Sequence, residues 1–440
     1  MSDKNMARRA LVQISAQGAD ITKDIRPYLD SLTYIDNEED ESDDLQIKLH
    51  DREGIWLTKW IPAMVDAAAS VGAGEAAGGG GTTSYKVTPK IGLNVRSGPG
   101  TSYSRYGALV CGTVIQVKSI ENGWASIDYN GKSAYVSASY ITQTGESSEA
   151  APAAAGKTGF KLQAVIIRQN WNGDGSDKVL DCGQFELDTV AASGPPSSLT
   201  FKAAALPFSS QIRQTKKSKA WEAYNLSGIA NEMAAGNGMT CMFLSVSDPY
   251  YERVEQRNES DISFLSVLCH GAGISLKVTN NLLILFDQAD YESKPAAFTI
   301  RKGGNSYTKY SLNIGTAEAQ YSSCRVSYVQ PSGACIAAVA KVEDYKEDAK
   351  NNQQLEITAK VSSVGEAKTL AEKYLRLHNK YAKTATFTMP GNPDIVAGVT
   401  MTLEGWGAWD GKYIVKQAKH TVSGSGYTVQ VTLRRVLEGY

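Results

Sequence analysis

Two low-complexity tracts constrain this chain more than any other feature. Residues 65–83 are rich in Ala and Gly and include Gly78-Gly79-Gly80-Gly81. Residues 143–158 run through Gln, Thr, Gly, Glu and Ser into Ala-Pro-Ala-Ala-Ala-Gly. Segments of this kind have too little apolar surface to fold and serve as flexible linkers. They isolate a stretch of residues 84–142. Upstream stands Leu45-Gln46-Ile47-Lys48-Leu49, with Trp56, Trp60 and Pro62 just beyond, and downstream the chain resumes at Gly159-Phe160-Lys161-Leu162. The outer pieces read as one domain cut in two by a guest. Such a guest is best accommodated when its own ends lie close together, a condition that a small closed β-barrel meets.

At 440 residues the chain exceeds one ordinary core, so two to four domains are expected. Lys plus Arg number 45 against 46 Asp plus Glu, and the net charge of −1 supplies no overall basic field for nucleic acid. The 40 Gly and 22 Tyr suit a β-rich protein with many turns. The six Cys have no CxxC spacing, so neither disulfide scaffolding nor a zinc site is expected, and they read as small reduced core residues. No metal or cofactor is anticipated. The first ten residues lack an apolar core segment, so a secretory leader is not expected. Apolar runs such as Leu282–Phe286 have strand length, and no membrane span is expected.

Alternation at Leu45, Ile47 and Leu49, and again over residues 162–167 and 185–190, predicts strands. The acidic run Glu38-Glu39-Asp40-Glu41-Ser42-Asp43-Asp44 reads as a solvated loop or strand entry. Asn170 to Asp177 is rich in oxygen ligands but lacks the first Asp and final Glu of a calcium loop, so a hairpin turn is expected. Helices are predicted over Trp221 to Ala235, over Ser260 to His270 with Ser260 as cap and Gly271 as stop, and over residues 363–382 from the capping box Ser363-Val364-Gly365-Glu366. The last of these should bury a stripe running from Ala367 through Leu370, Ala371 and Tyr374 to Tyr381. Val399, Met401 and Leu403 alternate, Asp410-Gly411 reads as a hairpin turn, and Tyr427, Val429, Val431 and Leu433 alternate again. Trp60, Trp171, Trp221, Trp406 and Trp409 are expected to pack in cores or interfaces. The fold class is mainly β with an α+β middle.

Four outer stretches carry a resemblance. They are the N-terminal strand–acidic loop–Leu-x-Ile-x-Leu pattern ending at Trp60-Ile61-Pro62; Leu180–Asp188 leading to Ser193-Gly194-Pro195-Pro196-Ser197; Glu255–Leu265; and Gly391-Asn392-Pro393 through Asp410–Val415 to His420. In order and spacing they resemble the phage late-control D family, the baseplate hubs of contractile tails. The resemblance implies a homotrimer with two tube-like β-barrel domains per subunit, adapting a sixfold tail tube to a threefold spike. It divides the chain into residues 1–63 with 159–205 as the first barrel, 206–304 as a mixed middle, and 305–440 as the second barrel. Residues 64–83 and 143–158 are then linkers. Implied partners are the tail tube, the spike and other baseplate proteins, in a particle assembled in the bacterial cytoplasm.

The guest has its own signature: Leu93-Asn94-Val95-Arg96-Ser97-Gly98-Pro99-Gly100, then Tyr103, Gly112, Val114, Trp124 and Tyr135-Val136, closing at Tyr140-Ile141. It resembles bacterial SH3 domains, which implies a small β-barrel that binds cell-wall peptides or glycans, peptidoglycan or a wall polymer included. Lys86, Lys90, Arg96, Arg105, Lys118 and Lys132 face Glu121 and Asp128, so residues 84–142 carry 6 − 2 = +4. That balance suits an anionic wall polymer and equally suits surface solubility. Seven aromatics fall in the same stretch. The candidate ligand contacts are Tyr103, Tyr106, Trp124 and Tyr135, since flat rings serve sugar and peptide sites, and each could equally be core packing. The module also points to a Gram-positive target, whose wall is exposed.

No catalytic set emerges. Cys269 and His270 are adjacent on a helix, so their side chains diverge. GxSxG, HExxH and phosphate-loop strings are absent. The expected function is therefore a structural baseplate hub without enzyme activity. The alternative is a wall-binding or peptidoglycan-degrading tail protein.

Overall fold

The computed structural model describes residues 7–39, 41–61, 83–87, 93–100, 103–109, 114–121, 123–129, 132–138, 141–143, 159–205, 211–279, 282–315, 321–342, 345–347 and 352–437. The chain divides into two compact units, Gly72–Ala155 and the remainder.

Period-two alternation builds the larger unit. Its strands, leaving aside the two-residue strand Ala19–Asp20, begin with β1 Arg9–Ala16, β2 Leu29–Asn37, β3 Asp44–His50, β4 Lys161–Gln169, β5 Asp177–Ser193 and β6 Ser198–Ala204. The middle supplies β7 Lys216–Asn225, α1 Leu226–Gly236, β8 Thr240–Phe243, β9 Tyr250–Ser260, α2 Asp261–Ala272, β10 Ser275–Thr279, β11 Leu282–Phe286 and α3 Gln288–Ser293. Then come β12 Phe298–Arg301, β13 Lys309–Ile314, β14 Ser323–Val329, β15 Cys335–Lys341, β16 Gln354–Thr358, α4 Val364–Asn379, β17 Lys383–Pro390, β18 Thr400–Glu404, β19 Gly411–Ser423 and β20 Gly426–Arg435.

Thirteen strands share one sheet. Removing Ala19–Asp20 and the branch β18–β12 leaves a path of ten, in the order β1-β4-β5-β6-β3-β2-β19-β20-β17-β13. Every neighbouring pair along it is antiparallel. The halves on either side of the guest are thus one sheet, since β1 pairs with β4 over Arg9–Ala16 and Gln169–Leu162. The early and late β regions meet where Ser31–Asn37 pairs with Ser423–Gln417.

Alternate side chains fill two cores. Leu32, Leu45, Leu49, Trp56, Phe185 and Phe201 anchor the first. Phe387, Met401, Tyr413, Val429, Val431 and Leu433 anchor the second. Fully burying a side chain of this size stabilises by about 1.5–3 kcal/mol. The middle has its own core, with Trp221 stacked on Phe264 at 5.2 Å. A further layer, sheet β15-β14-β16 under α4, is centred on Cys324, Val326, Ala367, Ala371 and Leu375. It lies between β13 and β17 in sequence, so the stretch expected as a single second barrel holds two cores.

Several local expectations change. The helix expected from Trp221 starts at Leu226, because Lys216–Asn225 pairs with β9 as a ribbon. Helix α2 has the expected Ser260 cap, whose side chain accepts from the Ser263 N–H at 3.3 Å, but it ends at Gly273, not Gly271. Gly273 takes φ 65°, the left-handed form that glycine adopts without strain. Helix α4 is capped by Ser363, but the Glu366 carboxylate accepts from the Ser362 N–H one residue earlier than a capping box requires. Its fully buried stripe is Ala367, Ala371, Leu375 and Asn379, with Leu370 and Tyr374 half-buried. Asp410 closes its turn by accepting from the Trp406 N–H, after a 3-10 turn over Gly407–Trp409. Trp56–Trp60 is a π-helical turn, with Asp51 accepting from the Trp56 and Leu57 N–H groups. Cys182, Cys269 and Cys324 are buried, whereas Cys335 is exposed and Cys241 intermediate. Cys111 lies outside the described residues.

The largest correction concerns the acidic run. Glu38, Glu39 and Asp43 are buried, at 3%, 5% and 1% exposure. Arg434 holds Glu38 through Nη2 at 2.6 Å and Nε at 3.0 Å, and also pairs with Glu292. Lys380 pairs with Glu39, and Lys277 lies 2.6 Å from Asp36 and 3.6 Å from Asp43. A run of acids in sequence reads as solvated because its bases come from β10, the C-cap of α4 and β20, more than 200 residues away.

Candidate functional site

The smaller unit is a seven-stranded sheet in the order Ile141–Gln143, Thr83–Val87, Val114–Glu121, Trp124–Tyr129, Lys132–Ser137, Leu93–Arg96, Arg105–Leu109. Its two terminal strands pair, since Ile141–Gln143 sits against Val87–Tyr85. That meets the condition that the guest's ends lie close together. Val95, Val117, Ala125, Ile127, Ala134 and Val136 turn inward and form its core.

Alternation then puts Trp124, Ser126, Tyr135 and Arg96 on the opposite face. Tyr135 stands directly across from Arg96 on one side and Ser126 on the other. Trp124 stands across from Ser137, two residues from Tyr135, which makes the two rings diagonal neighbours. Both are intermediate in exposure, whereas Tyr103 and Tyr106 are 48% and 46% exposed. The Gly98-Pro99-Gly100 loop folds back on Tyr103: Ser97 N–H donates to the Ser104 carbonyl at 2.9 Å, and Arg96 Nη1 donates to the Tyr103 carbonyl at 2.9 Å. The Tyr103 ring fills the space that a side chain at residue 98 would need, so only glycine fits there.

The structure thus brings Tyr135, Trp124 and the Tyr103 loop around Arg96, with Tyr106 exposed on the adjoining strand. Arg96 is the residue that composition alone did not single out. Its signal was positional: it follows the buried Val95, so it must face outward beside the aromatics. The surface offers flat rings, a guanidinium and serine hydroxyls, a set suited to peptide or sugar contacts.

Elsewhere, Cys269 is fully buried on α2 whereas His270 is exposed. A cavity of about 220 Å³ lies beside Glu39, Ser275, Asp287, Gln288, Lys373 and Arg376. Those groups are partners in ion pairs or hydrogen bonds to one another or to adjacent protein groups. Among the described residues no cluster of three or more His, Cys, Asp or Glu could hold a metal ion. No helix among them is long and apolar enough to cross a membrane.

Comparison with known proteins agrees with this geometry. The larger unit carries the fold of phage tail proteins. The chain superposes on a tail protein from Neisseria meningitidis MC58 with a TM-score of 0.56, 9% identity and 97% coverage of each chain. It superposes on the 43 kDa tail protein of prophage MuSo2 from Shewanella oneidensis with a TM-score of 0.52, 11% identity, and coverage of 96% of this chain and 97% of that one. Residues 91–142 match the bacterial SH3 domain family, and the insert belongs to it. A curated relative from Bacillus subtilis (strain 168), provisionally named N-acetylmuramoyl-L-alanine amidase YrvJ, is 32% identical over 109 residues. That match covers 25% of this chain and spans only 20% of the relative's length.

Proposed function

We propose that this chain is the baseplate hub of a phage tail or phage-tail-like particle, a ring-forming adapter between tail tube and spike that carries a wall-facing SH3 module and no enzyme activity. One observation carries the reading. The ten-strand path alternates direction throughout, so its two terminal strands, β1 and β13, run in opposite senses. No strand among the described residues pairs with the outer side of Arg9–Gln13 or of Lys309–Ile314. Open edges of this kind seek partners. The β13 edge of one copy can therefore meet the β1 edge of the next antiparallel, a head-to-tail contact that closes into a ring.

In this reading residues 1–63 with 159–205, and 305–440, are the two tube-facing regions, and 206–304 is the middle. The module 84–142 hangs on linkers 64–83 and 143–158. Its ligand contacts are Tyr103, Tyr106, Trp124 and Tyr135, arranged around Arg96, and its ligand is a wall peptide, glycan or anionic polymer. A ring of three copies matches the threefold spike.

Light scattering tests the ring: three copies of the 47.3 kDa chain are expected. Val12→Pro sharpens the test. The Ile14 N–H points away from β4, to the Thr22 hydroxyl at 2.9 Å, so the Val12 N–H two residues earlier also points outward. Proline there blocks the edge without touching the β1–β4 ladder. A monomer for this variant beside a trimer for the parent supports edge-to-edge closure. A stable dimer, or a trimer unaffected by the proline, sinks it. For the module, co-sedimentation with purified cell walls should be lost in Trp124→Ala/Tyr135→Ala; undiminished sedimentation would remove these residues from the site.

A further inference from the structure

The side of the main sheet facing away from its cores has an unusual composition. Along β13, β17, β20, β19, β2, β3 and β6 it carries mostly Thr, Ser, Gln and Asn. In register, Thr33 stands across from Thr421, with hydroxyls 3.5 Å apart, and Thr421 from Thr428. Thr386 stands across from Thr432. Lys48, Lys202, Lys309 and Lys419 lie on this face and none of them is buried, while Lys412 on the same parity is engaged by the Glu292 carbonyl. An antiparallel sheet with one wet face is ordinary. Here the sign of the charge departs from the ordinary, because the chain as a whole has slightly more acids than bases, 46 against 45.

None of the four lysines makes an ion pair among the described residues. The adjoining acids are marginal. Asp44 and Asp188 sit at the Lys202 end, and Asp30 lies in the bulge of β2. The lysines also form a band. Lys309, Thr388, Gln430 and Lys419 occupy one cross-strand row. Lys202 lies in the next row, through Gln46, Thr33 and Thr421, and Lys48 one row further, through Ser31 and Ser423. From Lys202 to Lys309 is six strand steps, about 29 Å at ~4.8 Å per strand, close to the ~34 Å of one duplex turn.

We propose that this face contacts the phosphate backbone of a nucleic acid, with Lys48, Lys202, Lys309 and Lys419 as the charge contacts and the threonine and glutamine side chains as neutral hydrogen-bonding neighbours. Ammonium groups and hydroxyls are the groups that bind phosphate oxygens without reading sequence. On these strands Tyr34, Phe201, Phe387, Tyr413 and Tyr427 point into the cores, Tyr310 packs on Trp406, and His50, on the parity of Lys48, packs on Tyr28, so the face has no open aromatic platform for bases. The contact is therefore weak, sequence-independent and salt-sensitive. The inference does not depend on ring closure, since the face belongs to one chain.

The test is fluorescence anisotropy of a labelled 30-base-pair duplex with the full chain at 50–200 mM salt. Four phosphate contacts predict a plot of log K against log salt with slope of about −3 to −4. Replacing all four lysines by glutamine removes no ion pair and should leave the melting curve unchanged, while binding at 50 mM salt weakens by about tenfold or more and most of the slope disappears. Each single Lys→Gln change should lower the slope by about one. Three results would overturn the proposal: no binding by the parent protein at 50 mM salt, full binding by the folded quadruple variant, or equal affinity for poly-glutamate of matching charge, which would assign the face to an acidic protein segment. Light scattering of the same samples separates this outcome from ring formation.

Discussion

Two regions tie the early and late β segments together, and they use opposite chemistry. In the β2–β19 ladder the contact is apolar and neutral. His420, fully buried, stacks on Tyr34, and its Nε2 donates to the Ile395 carbonyl at 2.8 Å while its Nδ1 accepts from the Tyr427 hydroxyl at 2.8 Å. At the end of β2 the contact is ionic. Asp36, Glu38, Glu39, Asp43 and Glu292 face Lys277, Arg376, Lys380 and Arg434, five acids against four bases. The ladder keeps its imidazole uncharged by satisfying both nitrogens. The joint keeps its charges by pairing them, and is left with one acid in excess. Burial therefore does not dictate one solution; it favours partnered polar groups, and in the joint the buried Asp43 Oδ2 is left without a hydrogen-bond partner.

The sharpest way to break the comparison is to unpair the joint. Burial works against the charge of Arg434, yet Glu38 and Glu292 outweigh it and hold the guanidinium more firmly protonated than usual. Arg434→Met leaves Glu38 buried without its cation and leaves Glu292 with Arg376 alone. A loss of about 3–5 kcal/mol is expected in urea unfolding, because breaking a buried pair strands the remaining charge. A loss below about 1 kcal/mol would mean that water or Arg376 already compensates these acids.

Within the joint, Asp43 has a pH response opposite to that of His420 in the ladder. Burial first, and then the neighbouring Asp36, push Asp43 up to about 6 from its ordinary 3.8, against the pull of Lys277. The folded joint thus holds a proton that the unfolded chain releases earlier. The contribution of the Asp43 carboxyl is complete below pH 3.8 and is lost as pH rises through about 6. His420 is pushed down to about 4 from 6.5 by burial, so its stabilisation is complete above pH 6.5 and is lost as pH falls through about 4. Asp43→Asn should therefore stabilise by about 2 kcal/mol at pH 8 and change little at pH 4. Melts across that range check it, and an equal gain at both ends would take Asp43 out of the titration.

The ladder is the milder partner. Tyr427→Phe removes the hydroxyl that donates to His420 Nδ1 and leaves a buried acceptor unpaired. The expected cost is about 1–2 kcal/mol, read as a lower urea midpoint with an unchanged slope. A neutral result would mean that the His420 tautomer adapts without loss.

The contrast also explains what the sequence could reveal. The ladder was legible: Tyr427, Val429, Val431 and Leu433 alternate, and period two is a local signal. The guest was legible for the same reason, together with its Gly98-Pro99-Gly100 loop. Trp221, Tyr224 and Leu226 fit a helical stripe, while the pairing with β9 that makes Lys216–Asn225 a strand lies 25 or more residues further on. The acidic joint was hidden more deeply. No feature of Glu38-Glu39 points to Lys380 or Arg434; only the fold brings them together. Of the candidate ligand residues, Trp124 and Tyr135 share a face by strand parity, which the sequence contained. The hydrogen bond from Arg96 to the Tyr103 carbonyl depends on how the loop closes, which it did not.

A surface pair completes the series. Lys178 of β5 pairs with Asp394 of the loop before β18, again joining early and late segments, but their side chains are 44% and 48% exposed. Water screens the attraction, and both chains lose rotamer freedom to form it. Asp394→Asn should cost between about 0 and 1 kcal/mol, and the cost should shrink further in 0.5 M salt. The neighbouring contact keeps the variant interpretable: Arg168 Nη1 still donates to the Asn392 Oδ1 at 2.9 Å, so the loop stays anchored. If Asp394→Asn cost as much as Arg434→Met, desolvation would not be what separates the joint from the surface, and the ionic strength of the whole seam would have to be measured before any single pair was credited.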